Sequence, residues 1–478
     1  MNYIRGSERS EVLLLPEALE DYIAPENPVR FIDAFVGQLD LEKAGFGKAQ
    51  LPETGRPPYD PGDLLRLYLY GYLNRVRSSR GLEREAGRNL EVIWLMRKLR
   101  PDFKTIADFR RENAAGIKAV GREFTLLCRK LELFGGELVA IDSTKIKAQN
   151  AQGRNYSAAK VAKQLQEAEK KVASYLEELA RADAEEGERP RGPEGGLSVG
   201  ELKEKIAQMG KRKEELKVLA QEVAEKGQVS LTDPDSRAMS MGRGSTIGYN
   251  VQAAVDAKHS LIVNTEVTQT TSDLNALGTM AYQAQQALGA EKLSVVADKG
   301  YYNGKEVLLC DSLGVTAYVA KPLTSANTAL GLYGKERFRY DPQRNSYFCP
   351  AGEELTYRFT SDEQGRATAY YRTNACGSCP LKSQCTRNQG NRSITRLAFE
   401  EVQEAMAERV AGHPQIMRRR KAIIEHCFGT IKRSFGYDYF LTRGKRNVTT
   451  EVNLTVLAYN LKRVCNLVGV KNLIAAVT

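Results

Sequence analysis

The chain has 478 residues, a net charge of +11 at neutral pH and a pI of about 9.1; it is too long for one core, so roughly three structural units are expected, and its basic balance favours a polyanionic partner. No apolar segment follows Met1 and no run approaches the ~18 apolar residues of a membrane span, which points away from a membrane and toward the cytoplasm. Eight cysteines in a chain of this length exclude a disulfide scaffold, and their clustering suggests metal binding in a reducing compartment.

Residues 1–125 read as a helical domain. Phe31, Ile32, Phe35, Val36 and Leu39 recur at helical spacing over 28–39. Asp60 and Pro61 form an N-cap and first-turn pair for a second helix that buries Leu64, Leu65, Tyr68 and Tyr72. Between 75 and 111 the short helical patterns are dense in cations, among them Arg75, Arg77, Arg80, Arg110 and Arg111. That density reads as a DNA-binding module of helix-turn-helix character, the alternative being a solvated basic face.

Residues 126–155 start a different unit. LVAI at 138–141 is too short for a helix and reads as a buried strand ending on Asp142, Ser143 and Thr144. Over 156–230, Val161, Leu165, Ala168, Val172, Tyr175 and Leu179 alternate steps of 4 and 3. A Pro/Gly-rich break at 185–196 follows, and a capping box of Ser198 and Glu201 restarts the period at Leu202 and Ile206. This is the pattern of an antiparallel helical hairpin. Over 231–330 the interrupted unit resumes: strands at 248–256 and 260–267, a helix at 272–288, a buried strand LSVVA at 293–297 ending on Asp298, a helix at 304–313 and a strand at 316–319.

Residues 331–395 are β-rich, with strands at 338–340, 347–349, 355–360 and 368–371. They carry Cys349, Cys376, Cys379 and Cys385 as C-x26-C-x2-C-x5-C, which suits a structural Zn²⁺, the alternative being four reduced thiols. Cys128, Cys310, Cys427 and Cys465 lie in apolar contexts and read as core residues. Residues 396–478 form C-terminal helices. Over 418–433, RRRKAIIEHCFGTIKR sets one carboxylate, Glu425, among cations. Met417, Ile424, Phe428, Ile431 and Phe435 make an apolar stripe beside a second stripe of Arg418, Lys421, Glu425 and Lys432. Such a carboxylate can hold a metal while its neighbours hold phosphates; the alternative is a surface helix with a Lys421–Glu425 pair.

Strand, long interruption, two strands, helix, strand, helix, strand is the order of an RNase H-like mixed sheet, with acids on the first strand, the fourth strand and a late helix. Asp142, Asp298 and Glu425 occupy those places; Asp256 and Asp273 are rival acids. With VAIDSTKIKA at 139–148, GYNVQAAVD at 248–256, ADKGYYN at 297–303 and Glu425-x6-Lys432, the sequence resembles the DDE transposases of bacterial insertion sequences, within the RNase H-like transposase and integrase superfamily. One branch of that family carries Y-x2-R-x3-E-x6-K, where this chain has Arg418 and Lys421 in the first two places.

The resemblance implies an α/β fold: an RNase H-like mixed-sheet catalytic core with a helical-hairpin insertion and a β-rich, Cys-containing insertion, preceded by an all-helical domain. It implies cleavage at the ends of an insertion sequence and strand transfer into target DNA, with Asp142, Asp298 and Glu425 holding two Mg²⁺ ions. It also implies double-stranded DNA as partner, a homodimer or larger synaptic complex, and a nucleoid-associated place in a bacterial cytoplasm. The alternatives are a nuclease on the same fold that cuts without joining, and a non-catalytic DNA-binding descendant. No GxxxxGK[ST] stretch is present, as expected for a phosphodiester exchange that needs no nucleoside triphosphate.

Overall fold

Strands covered on both faces read as unbroken apolar runs, and two such runs lie at the centre of this fold. The structure is a computed structural model that describes residues 18–49, 57–185, 198–241, 244–322, 326–363 and 367–478. Five strands make up most of its six-stranded main sheet: β1 (Leu138–Lys147), β2 (Gly244–Asp256), β3 (Ile262–Thr268), β4 (Leu293–Ala297) and β5 (Val315–Val319). They lie in the order β3-β2-β1-β4-β5, with β1, β4 and β5 parallel and β2 antiparallel to both its neighbours. A sixth strand, Arg237–Met241, pairs with the first half of β2.

The first strand does not end at Asp142. It continues to Lys147, because Thr144 and Ile146 alternate inward and the ladder with β2 runs on to Gly248. What ends at Asp142 is the pairing with β4, whose last register is Ile141 with Ala297. From there one edge of β1 is open until Lys147, where Asp438–Phe440 returns: the Lys147 N–H donates to the Asp438 carbonyl at 3.1 Å and the Phe440 N–H to the Lys147 carbonyl at 2.8 Å.

Helices Leu277–Leu288 and Gly304–Ser312 cover the face of the sheet that carries Val139, Ile141, Val295 and Ala297. Helices Pro414–Gly429 and Lys445–Val468 cover the opposite face, that of Ala140 and Val296. Between β1 and β2 the chain makes the expected hairpin, Ala158–Glu185 against Val199–Lys226, with its own small core around Tyr156, Leu216 and Val223 and the Ser198–Glu201 capping box in place. After β5, five short strands form an antiparallel meander in sequence order from Arg339–Asp341 to Ser393–Leu397. The last of these strands was not apparent from sequence.

The described N-terminal residues are helical, and Asn27 and Asp60 cap helices Pro28–Gly37 and Pro61–Leu73 with proline in the first turn. They are not a separate unit, however. Phe31, Leu65 and Phe124 belong to one apolar cluster with Leu454, Leu461 and Leu473 of the C-terminal helices, and the expected boundary at 125 falls inside helix Ala114–Lys130.

Two arginines expected to face DNA turn inward for the same reason. Arg77 is only 7% exposed; it pairs with fully buried Glu451 at 3.2 Å, donates to the Tyr439 carbonyl at 2.8 Å and lies 4.3 Å from the centre of the Tyr437 ring. It clamps the N-terminal helices to the C-terminal ones. Arg110 is half-buried over the Tyr68 ring and donates to the Tyr72 hydroxyl. Arg75 and Arg80 are exposed as expected, and exposed Arg111 is ion-paired with Asp108 and Glu112.

Candidate active site

The ladder between β1 and β4 brings two acids together. Asp142 and Asp298 each stand one residue past the last paired positions, on the face of Ala140 and Val296 that lies under helix Pro414–Gly429. One oxygen of each carboxylate is fixed by a backbone N–H: Ser143 donates to Asp142 at 2.8 Å and Gly300 to Asp298 at 2.8 Å. Residue 300 is close to that carboxylate, since a Cβ there would lie 3.0 Å from Asp298 Oδ1. The second oxygen of Asp142 accepts from Arg420 Nη1 at 2.7 Å. Burial pushes the Asp142 carboxyl above its ordinary value and the nearby Asp298 charge adds to this, while Ser143 and Arg420 work against it.

Helix Pro414–Gly429 docks through Ile423, Ile424 and Cys427; of the expected stripe Ile424 is buried and Met417 and Phe428 are partly buried, while Ile423 and Cys427 were not part of it. Arg418, Lys421 and Glu425 are exposed, and the alternative Lys421–Glu425 pair does not form; among the described residues the Glu425 side chain has no hydrogen-bond or ion-pair partner. Lys432 departs from its expected place. The helix passes into a π turn at Thr430–Ser434, which changes the angular step, so a straight α-helical stripe does not extend to it. Its ammonium is half-buried and donates to the Lys145 carbonyl at 2.8 Å, on the open edge of β1. Burial holds its pKa below that of an ordinary lysine, with Asp438 offsetting and Lys145 adding to the shift.

Asp142 and Asp298 are thus neighbours, and Glu425 is on the helix above them without joining them. Among the described residues no three His, Cys, Asp or Glu side chains stand together as a metal cage. The donor chemistry nonetheless fits a hard cation at the acids: carboxylates with one oxygen oriented by the backbone are the ligands Mg²⁺ takes. The four cysteines are reduced and half-buried, and all line one cavity of about 30 Å³ with Phe338 and Leu355. Burial raises the Cys385 thiol, and the other three cysteines push it further while Arg392 opposes. Thiols are the donor type Zn²⁺ takes, but these four, like the acids, do not stand together as a cage. Of the rival acids, Asp256 is a loop clamp that accepts the N–H groups of Gly135, Gly136 and Lys258.

Sequence reasoning missed Arg420, which lay unmarked in a run of four cations, and the polar cluster around Asp273 behind the acids. It also missed a cleft of about 1190 Å³ beside the Asp298 turn, lined by Tyr302, Lys305, Lys321, Phe399 and Gln403 among others.

Two stretches match known families: residues 17–112 match the family described as Transposase domain (DUF772), and residues 348–465 match Transposase DDE domain. These matches indicate a DDE-type transposase. Its activity is the cutting and transfer of DNA strands, dependent on a divalent metal. Within the transposase, Glu425, Lys432 and the four cysteines lie inside the second match, whereas Asp142 and Asp298 lie outside both. Among solved structures the transposase is similar to the piggyBac transposase synaptic complex with hairpin DNA, at 8% identity over 92% of this chain and 75% of that one, with a TM-score of 0.32. No curated protein matches it.

Proposed function

We propose that the transposase holds two Mg²⁺ ions through Asp142, Asp298 and Glu425 on an RNase H-like sheet. It binds the ends of a bacterial insertion sequence, cuts there and joins them to target DNA. The observation that carries this reading is the register that ends at Ile141 and Ala297 and leaves Asp142 and Asp298 side by side at the carboxyl ends of two parallel central strands. The strand order β3-β2-β1-β4-β5, with β2 antiparallel, supports the RNase H-like assignment.

When bound, a metal pair supplies activation of the attacking water or 3′-hydroxyl and stabilisation of the leaving oxygen. The chain's own contribution is orientation and charge. The Ser143 and Gly300 N–H groups fix one oxygen of each aspartate and so aim the other. Arg420 neutralises Asp142 and must release it for a ligand to bind. Exposed Arg418 and Lys421, with the two donors Lys432 has left after binding Lys145, hold the backbone of the strand being cut. Arg75, Arg80 and Arg111 contact the DNA farther out. Cys349, Cys376, Cys379 and Cys385 hold a structural Zn²⁺. Because two ends are joined in one event, the working form is a dimer or larger synaptic assembly in a bacterial cytoplasm, at the nucleoid.

The test is cleavage of labelled end DNA with Mg²⁺ by Asp142→Asn, Asp298→Asn and Glu425→Gln. Each is expected to lose cleavage by more than the roughly 10–100-fold typical of outer-shell changes, with end binding retained. Wild-type cleavage by any one of them removes that residue from the site.

A further inference from the structure

Behind the two aspartates, on the other face of the sheet, lies a connected set of hydrogen bonds. Asp273, in the loop before helix Leu277–Leu288, accepts on Oδ1 from Asn250 Nδ2 at 2.7 Å and Gln252 Nε2 at 2.6 Å. On Oδ2 it accepts from Ser143 Oγ at 2.9 Å and Lys145 Nζ at 3.2 Å. Gln252 in turn accepts through Oε1 from the Tyr301 hydroxyl. Asn250 and Gln252 sit opposite Lys145 and Ser143 in the β1–β2 ladder. Tyr301, Gln252 and Asn250 are each at most 1% exposed, so water cannot replace the Gln252–Tyr301 arm, whereas Ser143, Lys145 and Asp273 are partly exposed.

The two arms of this cluster end at the two acids. Ser143 follows Asp142 directly, and Tyr301 closes the short turn that Asp298 caps. A carboxylate offers about four lone-pair sites, and four donors occupy those of Asp273, so it has none left for a metal. Burial pushes its pKa up, but Asn250, Gln252, Ser143 and Lys145 together more than reverse this, and it stays ionised.

We propose that Asp273, Gln252 and Tyr301 are positioning residues that set the spacing of the Asp142 and Asp298 carboxylates by tying the strand behind one and the turn behind the other to a single anion. Loosening either arm leaves both carboxylates in the chain but no longer held at one separation, and a metal pair must then order them itself. The inference rests on the assignment of Asp142 and Asp298 as metal ligands.

The experiment is Mn²⁺ titration calorimetry on the full chain, alongside thermal unfolding without metal and end-DNA binding. Tyr301→Phe removes one hydroxyl and keeps the ring. It is expected to raise the Mn²⁺ dissociation constant about 10-fold, within the range for outer-shell partners. Metal-free DNA binding stays unchanged, and cleavage recovers to within about 3-fold at saturating Mn²⁺. Asp273→Asn points an NH₂ at donors and breaks both arms, so its constant rises about 100-fold. If it fails to fold, Ser143→Ala cuts the other arm alone and is expected to match Tyr301→Phe. A lower melting temperature with wild-type Mn²⁺ affinity in Tyr301→Phe and Ser143→Ala makes the cluster merely structural and overturns the proposal. If Asp142→Asn loses Mn²⁺ binding while Tyr301→Phe keeps it, only the positioning role fails; if Asp142→Asn keeps it, the ligand assignment fails as well.

Discussion

The N-terminal helices and the cysteine-bearing meander are both regions that sequence reading treats as modules, and they are held in opposite ways. The helices have no core of their own: Phe31, Leu65 and Phe124 pack with Leu454 and Leu473, and the Arg77–Glu451 pair locks the arrangement from inside. The meander has a private core of five buried side chains, Phe338, Tyr347, Leu355, Tyr371 and Ile394. That is too little apolar area to hold so small a sheet alone, and the thiol cavity lies directly against it. One region is stabilised by burial shared across the chain; the other has only its private core, beside which the proposed Zn²⁺ would act as a local staple.

That contrast is most sharply tested at the staple. About one zinc per chain is expected by elemental analysis, and Cys376→Ser or strong chelation should unfold the meander altogether while the transition of the shared core stays in place. A metal-free chain with an intact meander would instead leave its five core residues to suffice. The next effect belongs to the clamp. Arg77→Ala leaves Glu451 buried without its charge partner and should lower stability by about 3–5 kcal/mol in denaturant unfolding. Arg80→Ala, at an exposed position nearby, should change it by no more than about 0.5 kcal/mol. Equal losses would mean the burial of Arg77 carries no energetic weight. The smallest effects concern DNA. Arg80→Ala and Lys421→Ala should each reduce the slope of log affinity against log salt by about one unit, and Lys432→Ala by less, because its ammonium is partly spent on the Lys145 carbonyl. A full unit lost with Lys432 would show that it grips a phosphate as firmly as the exposed cations.

What sequence could reveal followed from periodicity. LSVVA at 293–297 is β4 to the residue, and the hairpin helices and their capping box are where the spacing put them. The first strand was cut short because Asp142, Ser143 and Lys145 hide its polar half, and no one-dimensional signal says that Ser143 and Lys145 are paid for by Asp273, more than a hundred residues away. Arg77 looked like its exposed neighbours because charge density does not tell burial; only Glu451, far along the chain, distinguishes it. The apolar stripe of the Glu425 helix was legible in part, but the π turn after it was not, and it takes Lys432 off the stripe that the spacing gives it.

The shared core also sets a clock. Helix Pro28–Gly37 packs against Val470–Val477, so it finds its partner only after the roughly 430 residues between them have been made. At roughly 5–20 residues per second, that wait is on the order of tens of seconds. During it Phe31, Phe35 and Leu65, all buried in the finished fold, have nothing from the C-terminal helices to cover them. Slowing translation anywhere between the two helices lengthens that exposure without altering a single residue of the product.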